Sequence, residues 1–171
     1  MIFKCKLKKF VDYIRYDVPA GFSNLITWFP VIWKDRNWDH YFIYVMLRHK
    51  LHLMEQLIRH HGMHVNNIKD ADGIKKCVLL LDRLIADEYG ENAFMPHDKK
   101  WGKAEMSWHD IDDEPEMCSL EINRSNVKTE EDKKEERKSF KRCSDQEQLS
   151  RQQDIEMLFE SMKKKIEGWW D

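Results

Sequence analysis

The sequence predicts an all-α fold: a three-helix bundle with a long C-terminal helix and a short N-terminal helical segment. Three observations predict it. Apolar residues recur at three- and four-residue spacing from Asn37 to His60 and again from Ile74 to Tyr89. Gly62 and Gly90 follow those two periodic stretches as natural stops. Beyond Asp154 the period returns strongly, with Ile155, Leu158, Phe159, Met162, Ile166, Trp169 and Trp170 on one face. A chain of 171 residues fits a single helical domain over 1–171 with a sizeable core.

The N-terminal segment, 1–36, starts with Phe3, Leu7, Phe10 and Ile14 at helical spacing and Lys4, Lys6, Lys8 and Lys9 between them. A basic amphipathic helix touching a membrane fits this pattern. A helix or strand lying on the core with its lysines outward fits it better. Pro19-Ala20-Gly21 is expected to break the chain, Ser23 or Asn24 to start a short helix towards Trp28, and Pro30 to end it.

Trp33-Lys34-Asp35-Arg36-Asn37-Trp38-Asp39-His40 is the densest mixture of tryptophans and charges in the chain, and it launches the central helix, 37–61. Asn37 is the expected N-cap, with Asp35 as the earlier alternative. On a wheel of about 100° per residue, Ile43, Met46, Leu47, Met54, Leu57 and Ile58 share the inner face with Asp39 and Lys50 between them. Two charges there would each need a partner from another helix. The opposite face carries Trp38, Tyr41, Phe42, Val45, Arg48, His49, His52, Gln56 and His60. That composition is expected to meet the N-terminal segment, another subunit or a ligand.

The second helix, 71–89, is capped by Asp70 or Asp72. It turns Ile74, Cys77, Val78, Leu81, Ile85 and Tyr89 inward, with Asp82 beside that face as a partner for Lys50 and Arg83 pointing away. From 92 to 128 the pattern fails at Pro96, Gly102 and Pro115, so an irregular excursion anchored by Trp101-Gly102 and Trp108 is expected. Its acids at 110–114 lack the spacing of a calcium loop and read as solvated. Thr129 with Asp132 resembles a capping box. A helix over 129–169 would be roughly 60 Å long, its Lys/Glu-rich first half projecting from the body or packing on another chain.

The formal charge of −2 supplies no global basic field and argues against nucleic acid as a partner. No apolar run approaches the roughly 20 residues of a membrane span, and no signal-peptide core is recognisable. Neither a membrane partner nor export is therefore expected. Cys5, Cys77, Cys118 and Cys143 form no Cys-x-x-Cys and read as free thiols, with Cys77 buried.

The run from Trp28 through Trp33-Lys34-Asp35-Arg36 to Trp38-Asp39-His40 resembles a widespread family of small helical proteins encoded by tailed bacteriophages. Leu80-Leu81-Asp82-Arg83-Leu84-Ile85, Trp101-Gly102, 154–159 and the terminal Trp169-Trp170-Asp171 match the same family, from about Pro19 to the end. Asn37 departs from it, since an aspartate usually stands there. The resemblance implies a protein acting in the cytoplasm of an infected bacterium and carries no activity with it.

Four chemistries are compatible with these residues. His49 and His52, with His60, His61 and His64, could hold a borderline metal, but no His-Glu-x-x-His occurs and no metal or other cofactor is expected. Asp39, Glu55, Asp82, Asp87 and Glu88 could hold magnesium for an all-α hydrolase of phosphorylated small molecules, without that class's Glu-x-x-Glu spacing. A nucleotide-type ligand could be held by Trp33, Arg36, Trp38, Asp39, His40, Arg48, Lys50, Asp82 and Arg83, through charge-assisted hydrogen bonds and stacking. A host defence protein or a second copy of the chain could dock on the aromatic–histidine face or the projecting helix. The leading expectation is a non-enzymatic binding protein that sequesters a nucleotide-type immune signal; the hydrolase and the host-protein inhibitor are the alternatives.

Overall fold

The computed structural model describes residues 11–36, 38–62, 65–110 and 118–169. The described residues are predominantly helical, with one two-stranded sheet. Five helices run α1 (Val18–Ile32), α2 (Tyr41–His61), α3 (Asn67–Ala86), α4 (Tyr89–Trp101) and α5 (Glu130–Lys165). A π-helical turn, Tyr13–Asp17, precedes α1, and a 3-10 turn, Glu167–Trp169, follows α5. Between α4 and α5, β1 (Ala104–Asp110) and β2 (Cys118–Arg124) pair antiparallel, in a register that puts Trp108 opposite Leu120 and Met106 opposite Ile122. The chain divides into two compact units, Met1–Leu81 and Asp82–Trp169.

In the first unit α1 runs straight through the Pro19–Gly21 stretch and through Pro30. Pro19 lies in the first turn of α1, directly after the π-helical turn Tyr13–Asp17, where the hydrogen-bond ladder is already out of the α register. Pro30 falls in the last turn; its missing amide costs one ladder bond, to Ile26 O, and the helix ends two residues later. The next helix starts at Tyr41, and Asp39 Oδ1 accepts from the Tyr41 amide at 2.9 Å. Asn37, the expected cap, lies outside the described residues.

The buried line of α2 is Leu51 and Ile58, with Tyr44, Leu47 and Met54 half-buried, whereas Ile43 and Leu57 are exposed. The inner face is therefore turned slightly from the expected one: Leu47, Met54 and Ile58 stay on it, Leu51 joins it, and Ile43, Lys50 and Leu57 leave it. That turn leaves Lys50 in solvent and removes the cost of an unpaired ammonium in the core. Gly62 ends the helix as expected, its amide donating to Ile58 O at 2.9 Å.

α3 begins at Asn67, whose Nδ2 donates to Gly62 O and whose Oδ1 accepts from the Ile68 amide. Asp72, an expected cap, instead takes Arg59 Nη2 at 2.8 Å and ties α3 to α2. The hydrogen bonds of Asp72 and Glu55 raise the Arg59 guanidinium further above its ordinary value. Ala71, Ile74, Cys77, Val78 and Leu81 form the buried stripe. The helix stops at Ala86 rather than near Tyr89, because Asp87 adopts a left-handed φ of 52° and donates its amide back to Arg83 O at 3.1 Å.

The second unit differs most from the sequence expectation. The described residues of the stretch 92–128 are not irregular: they carry most of α4 and the paired strands β1 and β2. Pro96 sits inside α4, and that proline disguised the helix. α4 covers the charged first half of α5, which therefore does not project bare: Phe94 stacks on Phe140 at 5.0 Å, and Lys100 meets Glu135 at 3.2 Å. Trp101 is buried, while Trp108 is exposed on β1 opposite Leu120 and is not a buried anchor. Thr129 does form the capping box with Asp132.

Candidate functional site

Two polar clusters lie inside the second unit, and both are built on the pairing of α4 with α5. The first is centred on Asp154, on the same face of α5 as Leu158, one helical turn further on. Asp154 is 1% exposed. Its Oδ2 accepts from the Tyr89 hydroxyl at 2.5 Å and its Oδ1 from Arg83 Nη2 at 2.7 Å, so both carboxylate oxygens are engaged. Arg151, one turn before Asp154, lies over the Tyr89 ring at 5.3 Å and pairs with Asp87 at 2.6 Å. Burial raises the Tyr89 phenol well above its ordinary value, and the hydrogen bond to Asp154 adds to the shift.

Beside this cluster is a cleft of about 330 Å³, lined by Arg83, Ala86, Glu88, Tyr89, Asn92, Ala93, Gln146 and Ser150. The Arg83 side chain is anchored on Asp154 yet 60% exposed, which leaves a guanidinium held in place at the edge of the cleft. Asn92, Gln146 and Ser150 add neutral hydrogen-bonding groups. A cavity of this size suits a small molecule, and an oriented arginine suits a carboxylate or phosphate on it.

The second cluster closes the base of the hairpin. His97, buried in α4, lies 2.9 Å from Ser139 Oγ and 3.1 Å from Glu136 Oε1. Arg124 donates to Asp98 at 2.7 Å and to Gly102 O at 2.6 Å. Its Nε lies 2.9 Å from Glu136 Oε1 without the alignment of a hydrogen bond, which makes that contact an ion pair. A further groove of about 560 Å³ between β2 and α5 includes Arg124, Lys133, Arg137 and Phe140.

The residues singled out from sequence fall in both units. Trp33 and Trp38 are 72% and 83% exposed, on the connection between α1 and α2. Arg36 folds back on the Lys34 and Asp35 carbonyls, Asp39 caps α2, and His40 is exposed 4.0 Å from Asp39. Arg48 and Lys50 are exposed on α2. Asp82, half-buried, and Arg83 belong to the second unit. Of the nine, Arg83 is the one that lines the cleft, and its partners Tyr89 and Asp154 were not among them. The signal for Asp154 was present: an acid at the head of the apolar period that includes Leu158.

The histidine face of α2 meets α1, where Trp28 packs edge-on against His49 at 4.9 Å, and His52 pairs with Gln56. Among the described residues no group of three or more His, Cys, Asp or Glu side chains is arranged to hold a metal ion. Glu55 is engaged by Arg59 and Asp87 by Arg151. His64 and residues 111–114 lie outside the described residues. Comparison with protein-family models, with curated proteins and with solved structures found no match.

Proposed function

We propose that this chain is a non-enzymatic binding protein whose ligand is a small molecule bearing a phosphate or carboxylate, of nucleotide type. The carrying observation is the Arg83 guanidinium, fixed by buried Asp154 and presented to a cleft with Asn92, Gln146 and Ser150. A pre-oriented cation binds an anion with less ordering cost than a free side chain. The resemblance to tailed-phage proteins supports the infected bacterial cytoplasm as the setting and counter-defence, by sequestering a nucleotide signal, as the role.

The test is a thermal-shift screen against nucleoside phosphates and cyclic nucleotides, repeated on Ala93→Leu, which narrows the cleft and keeps Arg83, Tyr89 and Asp154 as they are in sequence. A true ligand at 100 times its Kd raises the unfolding free energy by about 2.7 kcal/mol in the parent chain. Ala93→Leu loses that gain and keeps its own melting temperature. Gain retained in Ala93→Leu would move the ligand elsewhere, and magnesium-dependent breakdown of the ligand would replace binding by hydrolysis.

A further inference from the structure

The charges of the cleft beside Asp154 limit the charge that its ligand can carry. Two of the lining residues are charged, Arg83 and Glu88. The Arg83 guanidinium gives Nη2 to Asp154, and among the described residues its other nitrogens have no partner. A guanidinium has five N–H donors in a planar fork, so donors remain to grip the oxygens of an anion. Its charge is already balanced by a carboxylate that is 1% exposed. Water and salt screen a buried counter-charge little, so Asp154 belongs to the site as much as Arg83 does. The pair therefore offers an anion hydrogen bonds and little net attraction.

Glu88 tips the balance further. It directly precedes α4, is exposed, and has no hydrogen bond or ion pair among the described residues. The neighbouring Arg151 lies over the Tyr89 ring but is held by Asp87 at 2.6 Å and Glu147 at 3.3 Å. Among the described residues no second cation lines the cleft, so a further negative charge on the ligand meets Glu88 instead. The volume, about 330 Å³, is at the lower end of the roughly 300–1,000 Å³ of ligand pockets and suits one nucleoside unit. Asn92, Gln146 and Ser150 supply donors and acceptors for a base and a sugar.

A phosphomonoester carries a charge of about −1.5 to −2 at pH 7, and a triphosphate carries more. A phosphodiester carries a single one. On the premise that the cleft is the ligand site, we infer that it selects a nucleoside phosphodiester of single negative charge and the size of a cyclic nucleoside monophosphate. Glu88 is the residue that turns away the more highly charged esters.

Calorimetric titration of the full chain, without magnesium, tests this with one nucleoside in three charge states. The probes are the cyclic monophosphate, the monophosphate and the triphosphate of each of the four common ribonucleosides. For the nucleoside that binds, the cyclic form is roughly tenfold tighter than the monophosphate, and the triphosphate is weaker still. Glu88→Gln narrows the ratio between the cyclic form and the monophosphate to about twofold. Glu105→Gln makes the same change of net charge at an exposed position on β1 and leaves the ratio as in the parent chain. A monophosphate or triphosphate that binds as tightly as the cyclic form, with binding lost in Ala93→Leu, overturns the charge selection and leaves the cleft as the ligand site. A preference that Glu88→Gln does not change overturns the role of Glu88. Binding that survives Ala93→Leu, or no binding by any of these probes, overturns the assignment of the cleft and the selection with it.

Discussion

The Tyr89 hydroxyl donates to the buried Asp154 carboxylate at 2.5 Å, joining the first residue of α4 to a residue 65 positions further along the chain. With Arg83 on the other oxygen, that carboxylate holds the end of α3 and the start of α4 on either side of the left-handed Asp87. Tyr89→Phe removes one hydrogen bond to a charged group and is expected to cost about 1.5–3 kcal/mol. Asp154→Ala leaves the Tyr89 hydroxyl without its acceptor and costs more, about 3 kcal/mol, moderated because Arg83 remains in reach of water. Urea unfolding of both variants and of the double variant measures the coupling.

The same hydroxyl sets an alkaline limit. An unfolded tyrosine ionises near pH 10, and burial with the Asp154 hydrogen bond raises folded Tyr89 above that. The folded state therefore keeps a proton that the unfolded state has lost. The contribution is fully present below about pH 10 and falls as pH rises further, by up to about 1.4 kcal/mol per pH unit. Stability of the parent chain should drop faster than that of Tyr89→Phe between about pH 9.5 and 11. Parallel curves would remove the assigned shift.

Arg124 joins the hairpin to α4 and α5 from a nearly enclosed position. Arg124→Ala strands Glu136 next to His97 and frees the Gly102 carbonyl, at an expected cost of about 3–5 kcal/mol. Arg124→Lys recovers little, since an ammonium cannot span Asp98, Gly102 O and Glu136 in one planar fork. Chemical denaturation separates the two variants.

Gly102 holds a φ of +84°, and a Cβ there would stand 2.3 Å from Ser125 Oγ. Gly102→Ala therefore combines left-handed strain with a clash and should cost about 1–3 kcal/mol. Gly102→Ala with Ser125→Gly relieves the clash alone, so the residual loss in melting temperature reports the backbone part.

At the start of α5, Asp132 N–H donates to Thr129 Oγ1 at 3.0 Å and Asp132 Oδ2 accepts from the Thr129 amide at 2.8 Å. Thr129→Ala should cost about 1 kcal/mol. Hydrogen bonding, first to the Thr129 side chain and then to the Thr129 and Lys128 amides, lowers the Asp132 carboxyl. Its stabilisation is present above the unfolded carboxylate value, near pH 4, and fades as pH falls through the lower folded value. Amide exchange at the α5 N-terminus should accelerate in acid for the parent chain and show a weaker pH response in Asp132→Asn.

The elements that were legible in the sequence were those with local causes. Thr129 and Asp132 announce a cap, Gly62 a stop, and Ile74, Cys77, Val78 and Leu81 a buried stripe, because each depends on neighbours within a turn or two. α4 was not legible: Pro96 masks a helix whose inward residues, His97 and Trp101, are not an aliphatic row. Lys50 was misplaced by a slight rotation of the inner face, a shift that periodicity barely resolves and that the energetics of burying an ammonium decide. Of the candidate site, Arg83 was visible as a cation able to meet a phosphate. Its orientation by Asp154 was not, because that pairing spans 71 positions.

The contacts that β2 and α5 make with α4 and Gly102 form a ladder in sequence separation. Arg124 reaches Gly102 across 22 residues and Asp98 across 26; Lys100–Glu135 spans 35, His97–Glu136 39, His97–Ser139 42 and Tyr89–Asp154 65. Each rung brings the next pair within reach, so the loop to be closed at every step is short even where the final separation is long. We expect the second unit to zip from the hairpin outward, with its barrier at the first rungs. Arg124→Ala should slow folding, whereas Tyr89→Phe should leave the folding limb of the chevron in place and hasten unfolding.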